Sequence, residues 1–165
     1  MVKTLIMTAI VLVLATILLL DFAIVIPKFG AKHFGLPEDL AKMIEKMPDR
    51  PMWVNVLGII VMIAGFAGAI AVLIWAGVDA VKTNMSFLQT FLRFLIILDG
   101  YKLYDIIFFD YLWLTKFKIP QKIYPQTEGN KGYDSFGFNL KSQIIKLFAF
   151  CGASLLIAFI LTIAF

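Results

Sequence analysis

The chain has 165 residues, of which 61% are hydrophobic and 15% aromatic. Its mean hydropathy of +0.91 excludes the ordinary soluble class and predicts one integral membrane domain over residues 1–165. The net charge of +4 does not indicate a nucleic-acid partner, because membrane proteins carry surplus Lys and Arg in their cytoplasmic loops.

The first predicted element is a membrane-spanning helix over residues 3–26. The run from Leu5 to Ile26 is apolar apart from two threonines and Asp21, which is too long for a cleaved signal segment. Pro27 is expected to end it. Two roles stay open for Asp21: a carboxylate that reaches the membrane surface, or a member of the polar cluster of the third span described below.

A short amphipathic helix is predicted over residues 37–47. Leu40, Met43, Ile44 and Met47 follow the i, i+3, i+4, i+7 spacing of one helix face. We expect this helix to lie on the membrane surface with its methionine face toward lipid. A docking surface for a partner is the alternative.

The second predicted span, residues 52–77, is rich in glycine and alanine. Ala64 with Gly68, and Gly65 with Ala69, form small-xxx-small pairs that let helices approach closely. Packing within the monomer and a homo-oligomer through this face are both compatible with the pattern.

Two further spans are predicted, over residues 87–114 and 139–165, separated by a polar loop over residues 115–138. The expected fold is therefore an all-α, four-transmembrane-helix bundle with an interfacial helix between its first two spans. The third span is unusual because it contains charged residues, namely Arg93, Asp99, Lys102, Asp105 and Asp110.

The charges of the third span mark it as the candidate functional element. A charge near the bilayer centre costs about 2.5–3.5 kcal/mol on insertion scales, so we expect these residues to face partner helices or water. On an α-helix, Asp99, Lys102, Asp105 and Asp110 fall within about 140° of one side. The spacing also predicts an internal ladder in which Lys102 lies between Asp99 and Asp105.

The distribution of Lys and Arg predicts the topology. The two long loops and their flanks carry ten such residues and the opposite side carries two, so the loops over 27–51 and 115–138 are expected in the cytoplasm and both termini outside. The predicted location is the plasma membrane, with lipids as the immediate partners. The ten are Lys28, Lys32, Lys42, Lys46, Arg50, Lys116, Lys118, Lys122, Lys131 and Lys141, and the two are Lys3 and Lys82.

The run YDIIFFDYLWL from Tyr104, followed by Pro120 and by YPQTEGNKGYDSFGFNL from Tyr124, resembles a family of small polytopic membrane proteins of bacteria and fungi. The family pattern is D-x4-D-W/Y-L, a proline, P-G-T-E-G, and an aromatic-rich entry to the last helix that ends in histidine. Here Gln126 replaces the glycine and Asn139 replaces the histidine. The family has no established activity, so the resemblance implies a functional unit without a reaction. That unit comprises Asp105, Asp110, Pro125, Thr127, Glu128 and Gly129.

Carboxylates of the third span and the following loop are the candidate ligands. Asp105, Asp110, Glu128 and Asp134 offer the hard oxygen atoms that Mg²⁺ or Ca²⁺ prefers. Asp105, Asp110 and Glu128 are the candidate metal ligands, although their spacing matches no known metal motif. The wider set of candidate ion or ligand residues adds Asp99 and Lys102.

Three functions are compatible with these residues. Binding or transport of a proton, cation or cationic solute is narrowly favoured, because intramembrane ionisable groups usually serve it. A metal-dependent interfacial enzyme acting on a lipid is the second, weakened by the lack of a nucleophile–base pair or phosphate loop in the sequence. The third is a scaffold or accessory subunit of a membrane complex.

Overall fold

The computed structural model describes residues 1–33 and 36–164, which form helices and turns with no strand among them. Phe165, the predicted end of the last span, lies outside the described residues. The helices are α1 (Val2–Leu20), α2 (Pro27–His33), α3 (Glu38–Glu45), α4 (Met52–Lys82), α5 (Phe87–Tyr104), α6 (Ile119–Ile123) and α7 (Leu140–Ala164). Two π-helical segments, π1 (Asp21–Val25) and π2 (Asp105–Lys116), continue α1 and α5, and 3₁₀ turns occupy Pro125–Thr127 and Lys131–Asp134.

Within the part of the chain that the structure describes, three helices are long and apolar enough to cross a membrane: Val2–Val25, which joins α1 and π1, together with α4 and α7. The expectation of an all-helical chain with several candidate spans is confirmed at this level. Helix α5, the predicted third span, is not among them, since Arg93, Asp99 and Lys102 all lie within its 18 residues. Length and composition thus support three spans rather than four.

The connection between α4 and α5 is shorter than the sequence suggests. Helix α4 continues to Lys82 instead of ending at Gly77, which places Asp79 inside the helix. Helix α5 then starts at a reciprocal cap: the Ser86 amide donates to the Gln89 side chain (3.0 Å) and the Gln89 amide donates to Ser86 Oγ (3.4 Å). This S-x-x-Q pattern is a capping box, and it determines where α5 begins.

The described chain divides into two compact units. Unit 1 contains residues 1–15, 66–104 and 141–164. Its core comes from the buried faces of α1, α4 and α5, and Met7, Ala76 and Ile97 are fully buried there. The apolar helices of this unit therefore place the charged helix α5 against a tightly packed core.

Unit 2 contains residues 16–65 and 105–140. The amphipathic helix α3 lies here and buries Leu40 and Ile44 against other parts of the same unit. Leu40 clusters with Leu114 and Tyr133, whereas Ile44 clusters with Ala31 and Tyr124. The apolar face of α3 is thus covered by protein.

The two methionines of α3 also contact protein. Asn130 Nδ2 donates to Met43 Sδ (3.1 Å), and Gln126 Nε2 donates to Met47 Sδ (3.2 Å). The expected orientation with methionines toward lipid is wrong, because the second long loop occupies that face. The predicted helix over residues 37–47 is itself present, and its observed bounds are Glu38–Glu45.

The glycines of α4 pack within the chain. A Cβ atom at Gly65 would lie 2.6 Å from a Leu18 methyl group in unit 2, and one at Gly68 would lie 3.2 Å from Leu14 in unit 1. Both glycines therefore permit close approach of α4 to the first helix. Packing within the monomer accounts for these two positions of the small-residue pattern.

Candidate functional site

Helix α5 buries its charged residues in unit 1. Arg93 is 5% exposed and Lys102 is 4% exposed. Both carboxylate oxygens of Asp99 are buried, and neither accepts a hydrogen bond from any described residue. The Asp99 half of the predicted Asp–Lys–Asp ladder is therefore not formed.

Arg93 belongs instead to an ion-pair network with α4. Its Nη1 atom donates to Asp79 Oδ2 (2.8 Å) and to the Ala76 carbonyl (3.1 Å). Lys3 Nζ from α1 reaches the other oxygen, Asp79 Oδ1, at 2.6 Å. A buried charge needs such compensation, so this network has a structural role.

Asp79 was not among the predicted site residues, because the second span was predicted to end at Gly77. The signal that could have identified it is that residues 78–82 contain no glycine or proline, so no helix-breaking residue ends α4 before Lys82. Once Asp79 is assigned to α4, a carboxylate close to the end of an apolar helix becomes a suitable partner for the buried Arg93.

The aspartates Asp105 and Asp110 lie in π2. With 100° per residue, an α-helix would place them about 140° apart. The i→i+5 hydrogen bonds of a π-helix stack residues five apart, which brings these two carboxylates toward the same side. Both are half-buried.

Asp110 is held by neighbours in unit 2. Asn139 Nδ2 approaches Asp110 Oδ2 at 3.5 Å, and Thr115 Oγ1 donates to the Asp110 carbonyl at 2.8 Å. Asn139 is the residue that replaces the histidine of the pattern described above. Its amide thus lies beside the second aspartate of that pattern.

Buried hydrogen bonds of Thr127 hold the loop that carries the pattern in one conformation. Thr127 is fully buried, and its Oγ1 donates to the Tyr124 carbonyl (2.7 Å). Because that proton is used, the Tyr133 hydroxyl is the donor in the 2.6 Å contact between Tyr133 and Thr127. Burial raises the pKa of the Tyr133 phenol, and the hydrogen bond to Thr127 partly opposes this shift.

Pro125 and Gly129 shape the same turn. Pro125 opens a 3₁₀ turn, and Gly129 has a φ of +77°, a backbone conformation that side chains disfavour. Glu128 between them is exposed. Asp134 is also exposed and pairs with Lys118 at 2.5 Å.

The proposed metal ligands do not come together. Within residues 1–33 and 36–164, no three Asp, Glu, His or Cys side chains approach closely enough to share a metal ion. Asp105, Asp110 and Glu128 therefore do not form a three-ligand site in this structure. The loop residues around Thr127 serve the packing of unit 2.

Asp21 is another buried carboxylate that has no hydrogen-bond donor among the described residues. It is 4% exposed, and neither oxygen accepts a hydrogen bond from the described residues. It begins π1, and a Cβ atom at Gly58 would lie 3.1 Å from its Oδ1. Its burial does not support a carboxylate that reaches the membrane surface, and among the described residues it shares no hydrogen bond with the polar cluster of the third span.

Comparison of the chain with protein-family models, with characterised proteins and with solved structures finds no match. The resemblance carried by the Tyr104–Leu114 and Tyr124–Leu140 runs accordingly stays a prediction.

Proposed function

We propose that this chain is a multi-pass plasma-membrane protein that binds a proton or a small cation at carboxylates within the bilayer, and that this binding serves transport. The observation that carries the proposal is Asp99, whose two oxygens are buried and accept no hydrogen bond from a described residue. An ionised carboxylate without donors is very costly in an apolar environment. A bound proton or cation removes that cost.

Asp21 supports the same chemistry in unit 2. It is 4% exposed and lies in a span of mean hydropathy 2.7. π-Helical turns are rare and often occur at functional sites, and Asp21 and Asp105 each begin one. Asp105 and Asp110 provide further carboxylate oxygens on π2.

We propose that α5 and π2 cross the membrane as a fourth span. The 18 residues of α5 extend about 27 Å, close to the ~30 Å hydrocarbon thickness, before π2 lengthens the segment. Charge alone argues against insertion, but burial of Arg93 and Lys102 removes two of the charges from lipid. Both termini are then outside, and both long loops are cytoplasmic.

Cation binding at Asp99 is testable with the detergent-purified full chain. We expect the unfolding midpoint of the wild-type protein to respond to pH or to rise saturably with one of Na⁺, K⁺ or Mg²⁺, since a ligand that binds only the folded state stabilises it. Asp99→Asn should lose that response. In liposomes loaded with a pH- or ion-sensitive dye, the same variant should lose ion flux.

Asp39→Asn is the matched control, because Asp39 is exposed on α3 and carries the same charge. It should retain the wild-type response. Identical responses in the wild-type protein and Asp99→Asn would contradict the proposal, and loss of the response in both variants would point to a general charge effect. A wild-type protein that responds to neither pH nor cations would favour the scaffold function.

A further inference from the structure

A cleft of about 520 Å³ lies within unit 2, between the end of the first span and the start of α4. Its size falls within the ~300–1,000 Å³ range of small-ligand sites. The proton- or cation-binding function proposed above does not use it. Its lining combines basic side chains with an apolar wall.

The rim of the cleft has an excess of positive charge. Lys28 and Arg50 both line it, and Asp49 is the only carboxylate among the described lining residues. Asp49 pairs with Lys28 at 2.5 Å. Arg50 therefore has no described carboxylate partner, and its charge is available to an anion.

The polar neighbour of Arg50 does not neutralise it. The Tyr124 hydroxyl lies beside the Arg50 guanidinium and donates its proton to the Ala23 carbonyl. Burial raises the pKa of the Tyr124 phenol, although Arg50 partly opposes this shift. The hydroxyl thus stays protonated at neutral pH and leaves the positive charge of Arg50 uncompensated.

The wall of the cleft is apolar and belongs partly to a membrane span. Ile26, Phe29 and Ile59 line it. Ile59 lies on α4 and is 45% exposed, so this wall continues into the outer surface of the span. Trp53 near the start of α4 is 71% exposed, as expected for a residue at the membrane–water interface.

We propose that this cleft binds an anionic phospholipid, with its phosphate at Arg50 and Lys28 and an acyl chain along Ile26 and Ile59. The planar guanidinium donates paired hydrogen bonds that match phosphate geometry. The predicted topology places this loop at the cytoplasmic leaflet, which is the anionic one. The lipid site goes beyond the cation function and does not depend on it.

The test is a titration of the detergent-purified full chain with dioctanoyl phosphatidylglycerol, read as the unfolding midpoint. Dioctanoyl phosphatidylcholine and inorganic phosphate are titrated in parallel. We expect saturable stabilisation by phosphatidylglycerol and little by the other two. Arg50→Gln should raise the apparent Kd about fivefold, the effect of one basic residue beside an anionic lipid.

Lys46→Gln is the matched control, since Lys46 is exposed in the same loop and does not line the cleft. It removes the same charge and should leave the Kd unchanged. Equal weakening by Arg50→Gln and Lys46→Gln would overturn the proposal, because it would show diffuse attraction. Equal stabilisation by phosphatidylcholine or by inorganic phosphate would also overturn it.

Asp49→Asn makes the test independent of any folding defect in Arg50→Gln. Asp49 has an 82% exposed side chain, so its replacement should not disturb the core. The change releases Lys28 from its ion pair and should lower the Kd for phosphatidylglycerol severalfold. An unchanged or weaker affinity in this variant would contradict a phosphate site at the rim.

Discussion

At the scale of single residues, Thr127 shows how one buried hydroxyl can organise a loop. Thr127→Val keeps the size of the side chain but removes its hydrogen bonds to the Tyr124 carbonyl and the Tyr133 hydroxyl. A buried polar group left without a partner costs about 1–3 kcal/mol. We expect the unfolding midpoint of Thr127→Val to fall accordingly in thermal denaturation.

Thr127→Ser is the control for Thr127→Val, because serine retains the hydroxyl. It should remain closer to wild type and lose only the methyl packing. A Thr127→Val protein as stable as wild type would show that the loop does not depend on the hydrogen bonds of Thr127. The pattern around Thr127 would then need another explanation.

Tyr133 predicts a loss of stability in alkali. Its pKa is raised in the folded chain by burial, so the folded state holds the phenolic proton more tightly than the unfolded state does. The stabilisation is complete below the unfolded-state pKa of ~10 and is lost as pH rises through the folded-state value. Tyr133→Phe should weaken this alkaline decline in denaturation curves, and an unchanged decline would contradict the assignment.

At the scale of elements, the network of Lys3, Asp79 and Arg93 ties α1, α4 and α5 together within unit 1. Asp79→Ala leaves Arg93 buried without its carboxylate, and breaking a buried pair costs about 3–5 kcal/mol. Lys3→Ala removes a partner whose side chain is 57% exposed and should cost ~0–1 kcal/mol. Unfolding midpoints of the two variants test this order, and equal losses would contradict it.

The same elements show what local sequence patterns can predict. Hydrophobic periodicity and composition depend on neighbours along the chain, so they predicted the three supported spans and the amphipathic α3, although α4 ends at Lys82 rather than at Gly77. The partner of Arg93 depends on a contact between side chains of two helices, from residues 14 apart in sequence. Residues 105–116 form the π-helix π2 rather than an α-helix, so an α-helical wheel misplaced Asp105 relative to Asp110.

The site was predicted less completely than the fold, for a related reason. Composition indicated that the carboxylate charges of Asp99 and Asp105 would each need a partner that offsets the cost of burial, which is true of any charge in an apolar helix. It did not tell which carboxylates would find a donor. Thr127 and Glu128 are adjacent in sequence, yet Thr127 is fully buried and Glu128 is exposed, because the fold of the loop separates them.

At the scale of the whole molecule, the proposed fourth span and topology make one joint prediction. In a Cys151→Ser background, we place single cysteines by Thr83→Cys, in the turn before α5, and by Glu128→Cys, in the loop after π2. Both positions are exposed in the structure. A membrane-impermeant maleimide should label Thr83→Cys in intact cells and Glu128→Cys only after permeabilisation.

This experiment separates the number of spans from their orientation. Opposite accessibility of the two cysteines requires the segment between them to cross the membrane, so labelling of both from one side would contradict the fourth span. Reversed accessibility would keep four spans but invert the topology that the Lys and Arg count predicts. Asp49→Cys, in the first long loop and with an 82% exposed native side chain, should match Glu128→Cys. Its agreement would place both basic loops, and the rim of the proposed lipid cleft, on the cytoplasmic side.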